Sequence, residues 1–293
     1  MMLRDGKGLA RPVGTATLAA IALALWGTGA SAETTTEKIT RTAVFTVGTR
    51  TASPPFAYLD KQNEWVGFSV DLARLVHKAL ERKLNRSIKL ELKESTPATR
   101  IPMLTGGAVD LIAETMTDTR ARRESIDFSL TFFVTGAQFL VRDGSSIRGI
   151  QDIAGRRVGA QQGATNERII RERVPQAKLV VFPDQAAAFA ALRQDRIDAY
   201  TNDGIQLAGL KAKAPYPDAW KIVGDLYSYE PYAMAMRKND SDFRAVVNRT
   251  LMEAIEGGEY FRLYDKWFGP KGEVPYSMSD KIRSFLMMQV VPK

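Results

Sequence analysis

Two threonines and an arginine follow one predicted buried strand. The strand covers residues 109–113, and Thr115, Thr117 and Arg122 come shortly after it, at its carboxyl end. Open α/β sheets bind their ligands at the carboxyl ends of the strands. A guanidinium there can bind a carboxylate through two parallel hydrogen bonds, and the threonine hydroxyls add further polar partners. The alternative is a solvated arginine within the basic run 120–123.

A second group of candidate residues lies later in the chain. Gly163, Ala164 and Thr165 open a predicted helix, and the unpaired backbone N–H groups at a helix start favour an anion. Asp203 follows another predicted strand and can hold an ammonium group, although it can also cap the next helix. These groups together suit a zwitterion such as an α-amino acid. For Gly163 by itself, a plain strand-to-helix turn is the alternative.

Several kinds of catalytic and metal chemistry are excluded by composition. The chain has one histidine and no cysteine, which excludes disulfides, thiolate metal sites and cysteine nucleophiles and argues against histidine-based triads and metal clusters. Glu114, beside Thr115, is the one candidate for a general acid or base. A structural glutamate at a strand end is the alternative. We expect no cofactor and no catalytic residue.

The N-terminus predicts export. Basic residues at 4, 7 and 11 precede an apolar run over residues 16–26, and the small-residue sequence Ala30-Ser31-Ala32 follows. This is the pattern of a secretory signal peptide over residues 1–32, cleaved after Ala32. The run is shorter than the roughly 20 residues that span a bilayer. An uncleaved N-terminal anchor is the alternative, and a periplasmic location is expected.

The charge of the exported chain gives little information about its partner. The formal net charge of +8 falls to +6 when cleavage of the signal peptide removes three basic residues and one acidic residue. The lysines and arginines are scattered rather than clustered, so a nucleic-acid partner is not expected.

The hydrophobic pattern predicts an α/β protein. Strands alternate with amphipathic helices, which indicates two mostly parallel sheets flanked by helices. Two long extended stretches, residues 131–138 and 227–234, interrupt this alternation and are predicted to cross between two lobes as hinge strands. The first lobe would contain residues 33–133 and 232–293, and the second residues 134–231. Residues 33–40 are predicted to be a flexible leader, and a proline-initiated helix is predicted over residues 97–104.

The sequence resembles a known family. The resemblance is carried by VGTR at residues 47–50, PF at 55–56, GFSVD at 67–71, TDTRAR at 117–122, GAT at 163–165 and YDKWF at 264–268. These motifs are similar to those of the polar amino-acid-binding proteins of ABC importers, solute-binding protein family 3. RIPML at residues 100–104 and WKIVG at 220–224 resemble the glutamate/aspartate-binding branch. The resemblance implies a two-lobed, type II periplasmic binding protein fold.

Specificity is assigned through this resemblance. It places Arg50 and Arg100 in the first lobe, facing the side chain of the ligand, where relatives that bind basic amino acids carry an acidic residue in place of Arg50. Three arginines, with Arg122, against Asp203 leave the pocket at about +2, which suits a dicarboxylic amino acid. Phe56 is assigned to the pocket floor, and plain core is its alternative.

Two positions depart from the acidic branch. Gln185 stands where a histidine that helps hold the side-chain carboxylate is expected, and Pro97 stands where a serine is expected. Gln185 can still donate through its amide but carries no charge, whereas Pro97 has no N–H and no polar side chain.

The resemblance implies a non-enzymatic, monomeric binding subunit that closes on glutamate or aspartate and delivers it to an ABC permease in the membrane. The alternative of a different class is an exported cyclohexadienyl or arogenate dehydratase-like enzyme of the same fold.

Overall fold

The computed structural model describes residues 33–292, and its first element is a helix, α1 (Thr35–Thr42). Thr34 and Glu37 form a capping box, because Glu37 N donates to Thr34 Oγ1 at 3.2 Å and Thr34 N donates to Glu37 Oε2 at 2.9 Å. Ile39 is fully buried. The prediction of a flexible leader was therefore wrong. The predicted signal peptide and its cleavage site lie outside the described residues.

Nine more α-helices are present in the described range. They are α2 (Phe68–Leu84), α3 (Arg100–Thr105), α4 (Arg120–Arg123), α5 (Thr165–Arg173), α6 (Gln185–Arg193), α7 (Gly204–Ala212), α8 (Ser241–Glu256), α9 (Glu259–Phe268) and α10 (Asp280–Met288). The helix predicted from Pro97 begins later, at Arg100, because Thr96 and Thr99 form a turn with reciprocal backbone-to-hydroxyl hydrogen bonds of 2.9 and 3.2 Å.

The strands form two five-stranded sheets and one small sheet. They are β1 (Val44–Thr49), β2 (Ala52–Ser53), β3 (Ala57–Leu59), β4 (Trp65–Val66), β5 (Lys89–Glu94), β6 (Leu111–Ile112), β7 (Ile126–Thr135), β8 (Ala137–Arg142), β9 (Arg157–Gln161), β10 (Lys178–Phe182), β11 (Ala199–Asp203), β12 (Trp220–Val223) and β13 (Glu230–Arg237). The small sheet has the order β2-β3-β4.

Both large sheets have the same design. The first has the order β5-β1-β6-β13-β7, and only β13 runs against the other four strands. The second has the order β10-β9-β11-β8-β12, and only β8 runs against the others. The two-lobed α/β fold with mostly parallel sheets is thus confirmed. We call the first large sheet with its packed helices the first lobe, and the second large sheet with its packed helices the second lobe.

The chain passes between the sheets twice, and the two crossings lie side by side. Gly136 joins β7 to β8, and residues 224–229 join β12 to β13. Ala137 N donates to Ser228 Oγ at 3.0 Å, and Tyr227 N donates to Ala137 O at 3.1 Å. A Cβ on Gly136 would lie 2.4 Å from Ser228 O, so only glycine permits this approach.

Phe56 lies in an aromatic cluster at the centre of the first lobe. Its ring centroid is 4.9 Å from that of Phe133, 5.3 Å from that of Phe268 and 5.4 Å from that of Tyr232. Aromatic pairs of this kind contribute about 0.5–1.5 kcal/mol each beyond area burial.

In residues 33–292, no helix combines the length and hydropathy required to cross a bilayer.

Candidate functional site

Polar residues from both lobes line a small cavity between the two large sheets. Its lining consists of Arg50, Pro97, Arg100, Thr115, Thr117, Gln161, Ala164, Thr165, Asn166, Asn202, Asp203 and Gln206. Most of these residues follow the carboxyl ends of β1, β6, β9 and β11 or begin a helix there. Six of the nine residues proposed from the sequence, all but Phe56, Arg122 and Gln185, line this cavity. Its volume of about 20 Å³ is room for roughly one water.

Arg122 lies beside this cavity and joins the two lobes. It lines an adjoining pocket of about 340 Å³ that shares Ala164 and Thr165 with the cavity. Its Nη1 donates to Thr117 O at 2.7 Å in the first lobe, and its Nη2 donates to Gly163 O at 3.2 Å in the second. Burial, with the neighbouring Arg100, lowers the pKa of Arg122 to about 9, so the guanidinium is charged at neutral pH.

Arg50 and Arg100 share one buried carboxylate. Arg100 Nη1 lies 3.0 Å from Glu114 Oε1, and Arg50 Nε lies 3.7 Å from Glu114 Oε2. All three side chains are at least 96% buried. Burial is the largest effect on Arg50 and lowers its pKa, while Glu114 acts in the opposite direction. Arg100 Nε and Glu114 Oε2 have no hydrogen-bond partner among the described residues.

Gln185, the first residue of α6, contacts the small sheet and Gln161. Its side-chain amide donates to Ala52 O of the small sheet. When the Gln161 carboxamide is oriented to satisfy both of its ends, its oxygen accepts from Gln185 N and from Arg50 Nη2, each at 2.9 Å. Gln185 therefore makes its hydrogen bonds to other protein groups, Ala52 O and the Gln161 oxygen, and does not line the cavity. Phe56 does not line the cavity either, because its ring packs inside the aromatic cluster of the first lobe.

Asp203 is held by neutral donors at the second-lobe side of the cavity. Its carboxylate accepts from Asn166 Nδ2 at 2.9 Å, from Gln206 Nε2 at 3.4 Å and from the Tyr232 hydroxyl. Burial raises the pKa of Asp203 to about 7, and the nearby Glu230 adds to this rise. The carboxylate gains a favourable partner when a cation occupies the cavity.

Glu230 was missed by the sequence interpretation. It is 1% exposed, its Oε2 accepts from Thr165 Oγ1 at 2.9 Å and from the Thr117 hydroxyl, and its Oε1 accepts from Ser228 Oγ at 2.7 Å. The available signal is a carboxylate inside the extended stretch 227–234, for which the sequence predicts only a hinge strand.

The electrostatic balance differs from the expected +2. The expectation counted three arginines against Asp203 alone, but Glu114 and Glu230 are also buried at the site. Three guanidinium groups therefore face three carboxylates. The charge is distributed unevenly, because Arg50 and Arg100 share only Glu114.

Comparisons with known proteins identify the family of this chain. The sequence profile of the bacterial extracellular solute-binding proteins, family 3, matches residues 45–270. The glutamate/aspartate import solute-binding protein of Salmonella typhimurium is 32% identical over 87% of this chain and 87% of its own length. The ABC transporter glutamine-binding protein GlnH of Bacillus subtilis is 35% identical over 69% of this chain and 72% of its own.

A solved structure shows the same fold. The ancestral amino acid-binding protein AncCDT-1, a precursor of cyclohexadienyl dehydratase, superposes with a TM-score of 0.72 and 31% identity, covering 80% of this chain and all of its own. Since the family profile spans most of the chain and the fold agrees, this protein belongs to family 3 of the bacterial extracellular solute-binding proteins.

Proposed function

We propose that this protein binds an α-amino acid between its lobes and serves as the substrate-binding subunit of an ABC importer. The observation that carries the proposal is that Asp203 lines the cavity between the sheets while Arg122 lines the pocket that adjoins it at Ala164 and Thr165. Arg122 would bind the α-carboxylate, with Thr115, Thr117 and Thr165 nearby, and Asp203 would bind the ammonium. We assign residues 33–133 and 232–293 to the first lobe and residues 134–231 to the second. With these domain boundaries, Arg122 and Asp203 lie on opposite lobes.

An acidic ligand side chain is supported by the local charge around Glu114. Two guanidinium groups, those of Arg50 and Arg100, face this single carboxylate, which leaves one positive charge without a partner there. A second carboxylate from the ligand would balance this charge and accept from Arg100 Nε. Glutamate or aspartate would supply it, and the relative from Salmonella typhimurium is described as importing both.

A neutral side chain is the competing ligand class. Glu114 reduces the charge offered by Arg50 and Arg100, and the Bacillus subtilis relative is described as a glutamine-binding protein. The distinction depends on whether one net positive charge or hydrogen bonding alone selects the ligand. Binding tests must therefore compare carboxylate and carboxamide directly.

Calorimetric titration of the purified protein, refolded to remove carried-over ligand, tests the proposal. L-glutamate and L-aspartate should bind with dissociation constants near the micromolar range, on the order of 8 kcal/mol. L-glutamine, which differs from L-glutamate only by its carboxamide, is the matched control and should bind at least tenfold more weakly. Equal affinity for glutamine, or no response to any amino acid, would contradict the acidic specificity or the whole proposal, respectively.

The dehydratase alternative requires a general acid or base aimed at the substrate. Glu114 is the candidate, but its carboxylate is enclosed between Arg50 and Arg100 and is not on the cavity lining. We therefore favour a non-enzymatic role. Incubation with a cyclic dicarboxylate such as prephenate, followed by absorbance of an aromatic product, separates the two, since a binding protein should form none.

Partners and location follow from the same proposal. The protein would reach the periplasm through residues 1–32, be cleaved after Ala32, act as a monomer and dock on an ABC permease in the membrane. Mass spectrometry of the protein from a periplasmic extract should give an N-terminus at Glu33. A chain retaining residues 1–32 in the membrane fraction would contradict cleavage.

A further inference from the structure

One oxygen atom of Glu230 contacts both lobes. Thr117 follows β6 and pairs with Tyr232 in the first sheet, whereas Thr165 is the first residue of α5, which packs on the second sheet. Both hydroxyls donate to Glu230 Oε2, and the Thr165 hydrogen bond is 2.9 Å long. Glu230 itself stands at the point where the second crossing enters β13.

We propose that Glu230 is a lock that stabilises the closed arrangement of the lobes in the absence of ligand. Rotation of the lobes about the crossings would separate Thr117 from Thr165, so Oε2 could keep at most one of the two hydrogen bonds. Because Glu230 is buried and accepts from three hydroxyls, each of these bonds is stronger than an exposed one. Ligand-free molecules would therefore populate the closed state more than the ligand contacts alone would require.

The same contacts define what the two threonines can do for a ligand. A hydroxyl has a single proton to donate. While Thr117 and Thr165 donate to Glu230, they present only lone pairs to the cavity, so they can accept from an ammonium but cannot donate to a carboxylate. The α-carboxylate then depends on Arg122 and backbone N–H groups, and the threonine hydroxyls serve closure instead.

The test measures lobe closure without ligand. Since the chain has no cysteine, cysteines introduced at the exposed positions Ser87 and Gln194, one in each lobe, can carry donor and acceptor dyes. Single-molecule energy transfer then gives the ratio of closed to open molecules. Glu230→Ala should lower this ratio by about tenfold, the effect expected for losing one hydrogen bond to a charged group. Glu230→Gln, which keeps an acceptor, should lie between wild type and alanine.

A matched control and the opposite outcome complete the test. Glu253→Ala, an exposed glutamate of α8, should leave the ratio unchanged. An unchanged ratio in Glu230→Ala, with a circular dichroism spectrum like that of wild type, would refute the lock. If Glu230→Ala does not fold, Thr165→Val against Thr165→Ser decides, since only serine keeps the hydroxyl and should keep the closed population. The inference rests on the proposed lobes but not on the ligand, so a missing amino-acid response would contradict the proposed function alone.

Discussion

Arg100 and Glu114 form an ion pair at 3.0 Å in which the guanidinium is 3% exposed and the carboxylate is fully buried. The carboxylate also lies 3.7 Å from Arg50. Glu114 therefore holds two arginines inside the first lobe, where a lone buried charge would be strongly unfavourable. This residue links the stability of the lobe to the charge that the cavity offers a ligand.

Glu114→Gln should make the site more selective for acidic ligands. Loss of the carboxylate leaves Arg50 and Arg100 without their anion, so a ligand carboxylate gains relative to a carboxamide. We expect the ratio of glutamate to glutamine affinity to rise about tenfold or more in calorimetric titrations. The ligand-free variant should also lose roughly 3 kcal/mol of unfolding free energy. A ratio equal to that of wild type in a folded variant would contradict the charge argument.

Arg122→Ala should abolish binding of acidic and neutral amino acids alike. Arg122 is the guanidinium assigned to the α-carboxylate, which every amino acid carries, and it also joins the lobes through Thr117 O and Gly163 O. Titration should show at least a hundredfold loss of affinity for both classes, as expected for removing a charge-assisted contact of about 3 kcal/mol. Arg123→Ala, an exposed neighbour paired with Asp118, is the matched control. Selective loss of acidic ligands alone would show that Arg122 has a different role.

Arg50→Met should weaken acidic ligands while sparing neutral ones. Methionine keeps the apolar stem but removes the guanidinium, so Glu114 is balanced by Arg100 alone and no positive charge is left for a ligand carboxylate. The glutamate affinity should fall by about tenfold, and the glutamine affinity should change much less, in the same titration series. If both affinities fall equally, Arg50 acts on the fold of the site and not on specificity.

Asp203→Asn should stabilise the ligand-free protein at high pH while removing amino-acid binding. The folded-state pKa of Asp203 is raised to about 7 from an ordinary value of 3.8, so the folded state holds this proton more tightly than the unfolded chain. The associated stability is present below pH 3.8 and is lost as the pH rises to about 7. Asparagine stays neutral, so the variant should gain unfolding free energy relative to wild type between pH 5 and pH 8 in urea titrations. A difference that does not change with pH would contradict the raised pKa.

Gln289→Ala should destabilise the first lobe without affecting the site directly. The Gln289 amide makes two hydrogen bonds to the backbone of Thr131, at 3.0 and 2.9 Å, on the outer edge of β7. Their loss leaves a strand edge without these partners, and we expect a cost of about 1–2 kcal/mol in chemical denaturation. Met288→Ala, at a neighbouring position that is 77% exposed, should cost much less. Equal costs would mean that the amide contacts contribute nothing.

The alternation of strands and helices could be predicted from the sequence because the spacing of hydrophobic residues is a local property. Helix α6 (Gln185–Arg193) is an example, since Asp184 caps it and apolar residues follow at helical spacing. Helix α1 was missed because it has only eight residues and its buried face depends on α8, far away in the sequence. The start of α2 depends on a tertiary contact, because Gly67 precedes it with φ 134° and a Cβ there would lie 2.1 Å from Phe56 O.

The candidate site divides in the same way. The sequence by itself determined the family, the fold and six residues of the cavity lining. The motifs have characteristic spacing, and the carboxyl ends of parallel strands lie at the same edge of a sheet. Only the tertiary structure decided the partners of the charges. Glu114 meets Arg50 and Arg100, and Glu230 meets Thr117 and Thr165 from positions 113 and 65 residues away. A charge's effect on a ligand depends on its distances to other charges in a buried medium, and those distances exist only after the lobes have packed.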